Sequence, residues 1–106
     1  MMKFFTPQML ECALKDEVPL QLIDVREHYE VDAGGIGGLH IPLDEVLDRK
    51  DELRRDIPVV FYCRSGKRAS AIAHFLASGF QFNNLYILNG GLEAYVSEVN
   101  PEIEVY

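Results

Sequence analysis

Histidine and cysteine are scarce in this chain, and tryptophan is missing altogether. Its two cysteines, Cys12 and Cys63, form no Cys-x-x-Cys pair, and the three histidines are scattered at positions 28, 40 and 74. A zinc site has little to be built from, so no metal or other cofactor is expected; a lasting structural disulfide is not expected either. No apolar run is long enough to span a bilayer. The opening Met1-Met2-Lys3-Phe4-Phe5-Thr6-Pro7 is too brief and too soon interrupted by proline for a signal peptide. A reducing, cytoplasmic setting fits these absences. Positive charge is also in deficit: ten Lys and Arg against seventeen Asp and Glu give a net charge of −7. That balance argues against nucleic acid and anionic membranes as partners.

What remains is ordinary globular composition, 48% hydrophobic and 25% charged over 106 residues, enough for one domain across 1–106 and too short for two. Three of the ten basic residues fall together in Cys63-Arg64-Ser65-Gly66-Lys67-Arg68. These six follow an apolar run, Ile57 to Tyr62, and precede a helical pattern starting near Ala69. A cysteine at the end of a buried strand, a short cationic loop with glycine, and a helix start together make a cradle for a sulfur anion. Unpaired N–H groups and the positive end of the helix dipole face the loop. Such surroundings favour the thiolate, the form that attacks. By contrast, Arg49, Lys50, Arg54 and Arg55 lie among Asp48, Asp51, Glu52 and Asp56, the pattern of a solvated helix face with local charge pairs.

Thr6-Pro7 signals a helix start, after which Leu10, Ala13 and Leu14 share a face, with Cys12 on the other side and no evident role. Leu20 to Val25 reads as a buried strand with Asp24 and Arg26 at its end, and Glu27 to Val31 as a short helix. Four glycines between Ala33 and Gly38 fit no nucleotide-binding spacing and are taken as a turn beside the active face. Residues 39–42 form a short strand, 44–55 one or two short helices, and 57–62 a strand covered on both faces. In the next helix Ala69, Ile72, Ala73 and Leu76 point inward, with His74 on the outer side. Leu85 to Leu88 is a strand, and Asn89-Gly90-Gly91 turns into a last helix with Leu92, Tyr95, Val96 and Val99 on one face. The alternation predicts an α/β fold, an open, mainly parallel sheet with helices on both faces. Asp24 to Arg26, the glycine turn, Cys63-Arg64 and Asn89 to Gly91 all lie at strand C-termini, where such sheets place their sites.

The pieces Leu22-Ile23-Asp24-Val25-Arg26-Glu27, Ile41-Pro42-Leu43, Val60 to Ser70 and Leu88-Asn89-Gly90-Gly91-Leu92-Glu93-Ala94-Tyr95 together resemble the rhodanese sulfurtransferase family in its single-domain form. The resemblance covers about residues 3 to 97, with Tyr95 where tryptophan is usual. It implies a five-stranded parallel core, a six-residue active loop from Cys63 to Arg68, and a cysteine persulfide. On that reading Cys63 is the nucleophile. The N–H groups of Arg64, Ser65, Gly66, Lys67 and Arg68 surround the sulfur and bind substrate, and Asp24 and Arg26 brace the site. The implied partners are a small sulfur-containing anion such as thiosulfate and a thiol, protein or cyanide acceptor. A cysteine phosphatase or arsenate reductase would need arginine where Ala69 stands, at the end of a longer loop. A catalytically silent binding module of the same fold is the other alternative.

Overall fold

The computed structural model describes residues 2–105. Five strands alternate with four helices: β1 (Lys3–Phe5), α1 (Pro7–Lys15), β2 (Gln21–Asp24), α2 (His28–Ala33), β3 (Leu39–His40), β4 (Val59–Tyr62), α3 (Lys67–Gly79), β5 (Leu85–Leu88) and α4 (Gly91–Glu98). All strand pairings are parallel, in the order β1-β5-β4-β2-β3. The expected α/β architecture with an open, parallel five-stranded sheet is therefore present.

Alternation along the strands divides the core in two. Ile23, Phe61 and Ile87 face α3, packing with Ala69, Ile72, Ala73 and Leu76. Leu22, Val60 and Leu88 face the opposite way, against Leu10, Leu92 and Tyr95 of α1 and α4. Central β4 is buried at all four positions, as a strand covered on both faces must be. On α1 the threonine cap holds, with Met9 N–H donating to the Thr6 hydroxyl at 3.1 Å. Leu14 does not join the inward face as expected; it is 37% exposed, and Pro7 is buried with Leu10 and Ala13 instead.

The one or two short helices expected over residues 44–55 are present as two three-residue 3-10 helices, Leu43–Glu45 and Lys50–Glu52. Only Val46 and Leu53 anchor this segment in the core, too few for an amphipathic stripe. Its charges do pair locally: Arg49 with Glu45 and Glu52, and Arg54 with Asp56. Arg55 instead lies over the Phe82 ring and donates to the Phe80 and Gln81 carbonyls. Helix α3 begins at Lys67, two residues before the apolar stripe, because the glycine cap at Gly66 adopts φ +100. Finally, β1 is a strand that the sequence pattern does not announce. Its three residues are defined by pairing with β5 at the far end of the chain.

Candidate active site

Because every strand runs the same way, the C-terminal ends of β2, β4 and β5 share one edge. The chain leaves β2 toward β3 and leaves β4 toward β5, in opposite directions across the sheet. Connections that diverge in this way open a crevice between the strand ends, and Cys63 sits there.

The loop after β4 turns back on its own first residue. The Gly66 N–H donates to Cys63 Sγ at 3.1 Å. Its φ of +100 permits the turn, and α3 starts immediately afterwards. The sulfur thus lies at the N-terminus of a thirteen-residue helix, whose dipole favours an anion. Among the loop amides expected around the sulfur, Gly66 supplies the hydrogen bond found among the described residues. Cys63 is fully buried, whereas Arg64, Ser65 and Lys67 are exposed.

A second helix holds the loop from behind. At the start of α4, Leu92 N–H donates to the Cys63 carbonyl at 2.8 Å and Glu93 N–H to that of Arg64 at 2.9 Å. Gly91 makes this approach possible. With φ +65, its place would put a Cβ 2.5 Å from the Arg64 carbonyl oxygen. Two helix N-termini therefore serve one loop, α3 at the sulfur and α4 at the backbone that carries it.

The three loop cations have different environments. Arg64 makes an exposed ion pair with Glu93, Nε to Oε2 at 3.0 Å. Arg68 grips Glu30 with both ends of its guanidinium, Nη1 to Oε1 at 2.6 Å and Nη2 to Oε2 at 2.9 Å. Glu30 is buried, and hydrogen bonding from Arg68 holds its carboxyl at about 2 despite the opposing effect of burial. Lys67 is exposed and has no carboxylate within ion-pair distance among the described residues.

Beside the loop, Asp24 and Arg26 form a buried ion pair, Nη2 to Oδ2 at 2.7 Å and Nε to Oδ1 at 2.9 Å. Arg26 Nη1 also donates to the Glu30 carbonyl at 3.2 Å. The Tyr62 hydroxyl lies 2.9 Å from Asp24 Oδ2 and 2.8 Å from the Gly37 carbonyl, sharing its one proton between two acceptors. Burial, reinforced by the Asp24 charge, pushes the Tyr62 phenol well above its usual range. His40 Nε2 donates to the Arg26 carbonyl. The glycine turn lies directly on this cluster: a side chain at Gly35 would run into Arg26. The hydrogen bonds of Asp24 and Arg26 thus tie β2, α2 and β4 together at the edge where the loop begins.

Sequence reasoning placed Gly91 at the site's edge but missed Glu30, Tyr62 and the Leu92 and Glu93 amides. The Asn89-Gly90-Gly91 turn was a visible signal for the last two. Glu30 had one weak sign, its place three residues after Glu27 in a reciprocal helix cap. Cys12 is exposed on α1, and His74 is exposed on α3 with its ring bonded to its own helix at the Ser70 carbonyl.

Residues 6–98 match the rhodanese-like domain family. The chain belongs to that family. It is 38% identical over 83 residues to the Bacillus subtilis protein YqhL, covering 77% of this chain and 65% of YqhL, so it spans just under two thirds of that relative. It is 31% identical over 96 residues to an Allochromatium vinosum protein named sulfurtransferase, covering 89% of this chain and 88% of that one. Among solved structures, a rhodanese-related protein from Thermoplasma volcanium superposes with a TM-score of 0.81 at 26% identity, over 93% of this chain and 95% of the other. No helix among the described residues of this rhodanese-like domain is long and apolar enough to cross a membrane.

Proposed function

We propose that this rhodanese-like domain is a sulfurtransferase that carries sulfane sulfur as a persulfide on Cys63. The observation that carries the reading is the Gly66 N–H on Cys63 Sγ at the start of α3, in a loop whose backbone α4 holds in place. Membership of a family with a relative named sulfurtransferase supports it.

In the first half-reaction the Cys63 thiolate attacks the outer sulfur of a donor such as thiosulfate. A sulfur–sulfur bond forms to Cys63, the one within thiosulfate breaks, and sulfite leaves with the electron pair. The terminal sulfur of the persulfide is an anion, and loop N–H groups and cations stabilise it as they stabilise other developing anions. In the second half-reaction a thiol, a protein sulfur acceptor or cyanide attacks that terminal sulfur, and Cys63 departs again as thiolate. Arg64, Ser65, Gly66, Lys67 and Arg68 form the substrate side of the site, while Asp24 and Arg26 support it from beneath.

The complete burial of Cys63 favours a second reading, a catalytically silent module that uses the same fold only for binding. Mass spectrometry after thiosulfate treatment separates the two. Sulfur transfer adds one sulfur atom, about 32 Da, to Cys63 as the covalent intermediate, and Cys63→Ser abolishes both adduct and turnover. An unmodified wild-type chain would leave the silent module standing. Hydrolysis of p-nitrophenyl phosphate would point instead to a phosphatase, a chemistry whose arginine position is here the buried Ala69.

A further inference from the structure

Three cations surround the loop, but they do not offer three charges to a donor. Arg68 spends both ends of its guanidinium on the two oxygens of Glu30, a carboxylate whose side chain is only 6% exposed. Glu30 is itself fixed: the Glu27 N–H donates to its Oε1 at 3.0 Å, and its carbonyl accepts from Arg26. Arg64 is paired with Glu93. Arg26, the other nearby cation, is neutralised by Asp24. Lys67 is left as the one loop cation without a carboxylate partner among the described residues, in a chain of net charge −7.

We propose that Glu30 is a specificity-determining residue: by cancelling the charge of Arg68 beside Cys63, it fits the site to singly charged sulfane donors, such as thiosulfonates, rather than to the thiosulfate dianion. This rests on the sulfur-transfer reading above. Arg68 stands in the first turn of α3, two residues after the Gly66 whose N–H donates to Cys63 Sγ, so its neutralisation is felt where the donor binds. The bond changes are the same for either class. With a thiosulfonate, Cys63 thiolate bonds to the outer sulfur, the sulfur–sulfur bond of the donor breaks, and a sulfinate leaves with the electron pair. Only the charge carried into the site differs. Electrostatic work scales with that charge, so any change in the site's potential acts on a dianion with twice the free energy it has on a monoanion.

The experiment compares kcat/KM for thiosulfate and for methanethiosulfonate, with cyanide as acceptor at low ionic strength. Glu30→Gln uncovers the Arg68 charge. The expected result is a rise of about ten-fold for thiosulfate and about three-fold for methanethiosulfonate, the square-root relation set by their charges. A damaged loop would lower both, so a rise is not a structural side effect. The double variant Glu30→Gln with Arg68→Gln keeps two hydrogen-bonding side chains but removes both charges, and its donor ratio should return to the wild-type value. A ratio unmoved or lowered in Glu30→Gln overturns the proposal, as does a fall of about three-fold or more in the double variant. Absence of any sulfur adduct on wild-type Cys63 with both donors would overturn the sulfur-transfer reading itself. An adduct with an unmoved ratio would overturn only the role of Glu30.

Discussion

The Leu92 amide donates to the Cys63 carbonyl at 2.8 Å, joining the first turn of α4 to the first residue of the loop after β4. A sulfur held by one helix end would still swing if its own backbone moved. The second helix removes that freedom, and it can come so close only because Gly91 has no side chain.

Gly91→Ala tests this directly. The backbone there is left-handed, which costs about 1–2 kcal/mol for a residue with a Cβ. The added carbon would also meet the Arg64 and Cys63 carbonyl oxygens at 2.5 and 2.7 Å, backbone atoms that cannot rotate away. The expected outcome is a lower melting temperature together with persulfide formation slowed about ten-fold or more, since a displaced loop loses its alignment. A wild-type rate of sulfur loading would show that the loop is placed without α4.

Arg26→Met should be among the most destabilising single changes. It leaves the Asp24 carboxylate buried at 3% exposure without its partner. Breaking one side of a buried ion pair typically costs about 3–5 kcal/mol. Urea denaturation measures the loss, and adding Asp24→Asn should recover part of it. A change below about 1 kcal/mol would show the pair to be dispensable.

Acid should weaken the fold partly through Glu30. Its carboxyl titrates at about 2 in the folded chain, against an ordinary value of 4.5. A folded-state value below the unfolded one contributes stability that is fully present above the ordinary range and lost as pH falls from there toward 2. Denaturation midpoints of wild type and Glu30→Gln should therefore differ at pH 6 and converge as pH approaches 2. A gap that stays constant would show that the Arg68 pairing does not hold the carboxylate ionised.

Lys67→Glu should raise the KM for thiosulfate several-fold at low salt, with a smaller effect as ionic strength increases. Steady-state kinetics at two salt concentrations checks this. An unchanged KM at low salt would show that the Lys67 ammonium does not face the donor.

Much of this arrangement was legible because parallel α/β folds follow simple rules. The apolar runs ending at Asp24, Tyr62 and Leu88 had to be buried strands, and their alternation with helices had to place their ends on one edge. The Cys63-to-Arg68 loop declared itself by clustering cations next to a thiol in an acidic chain. Strand β1 escaped because three residues carry no period, and its hydrogen-bond partner lies at the opposite end of the sequence. The segment 44–55 was legible as short helices with paired charges, but not as 3-10 in form, because only Val46 and Leu53 bind it to the core.

The amino-acid order by itself determined the strand–helix alternation, the edge on which the loops gather and the identity of the candidate nucleophile, since these depend on local periodicity and residue type. Only the tertiary structure decided which charges remain available. Arg68 and Glu30 are 38 positions apart, and nothing local tells that one cancels the other. Pairing across that distance depends on how α2 folds over the strand ends, and so on packing that no short window of sequence contains.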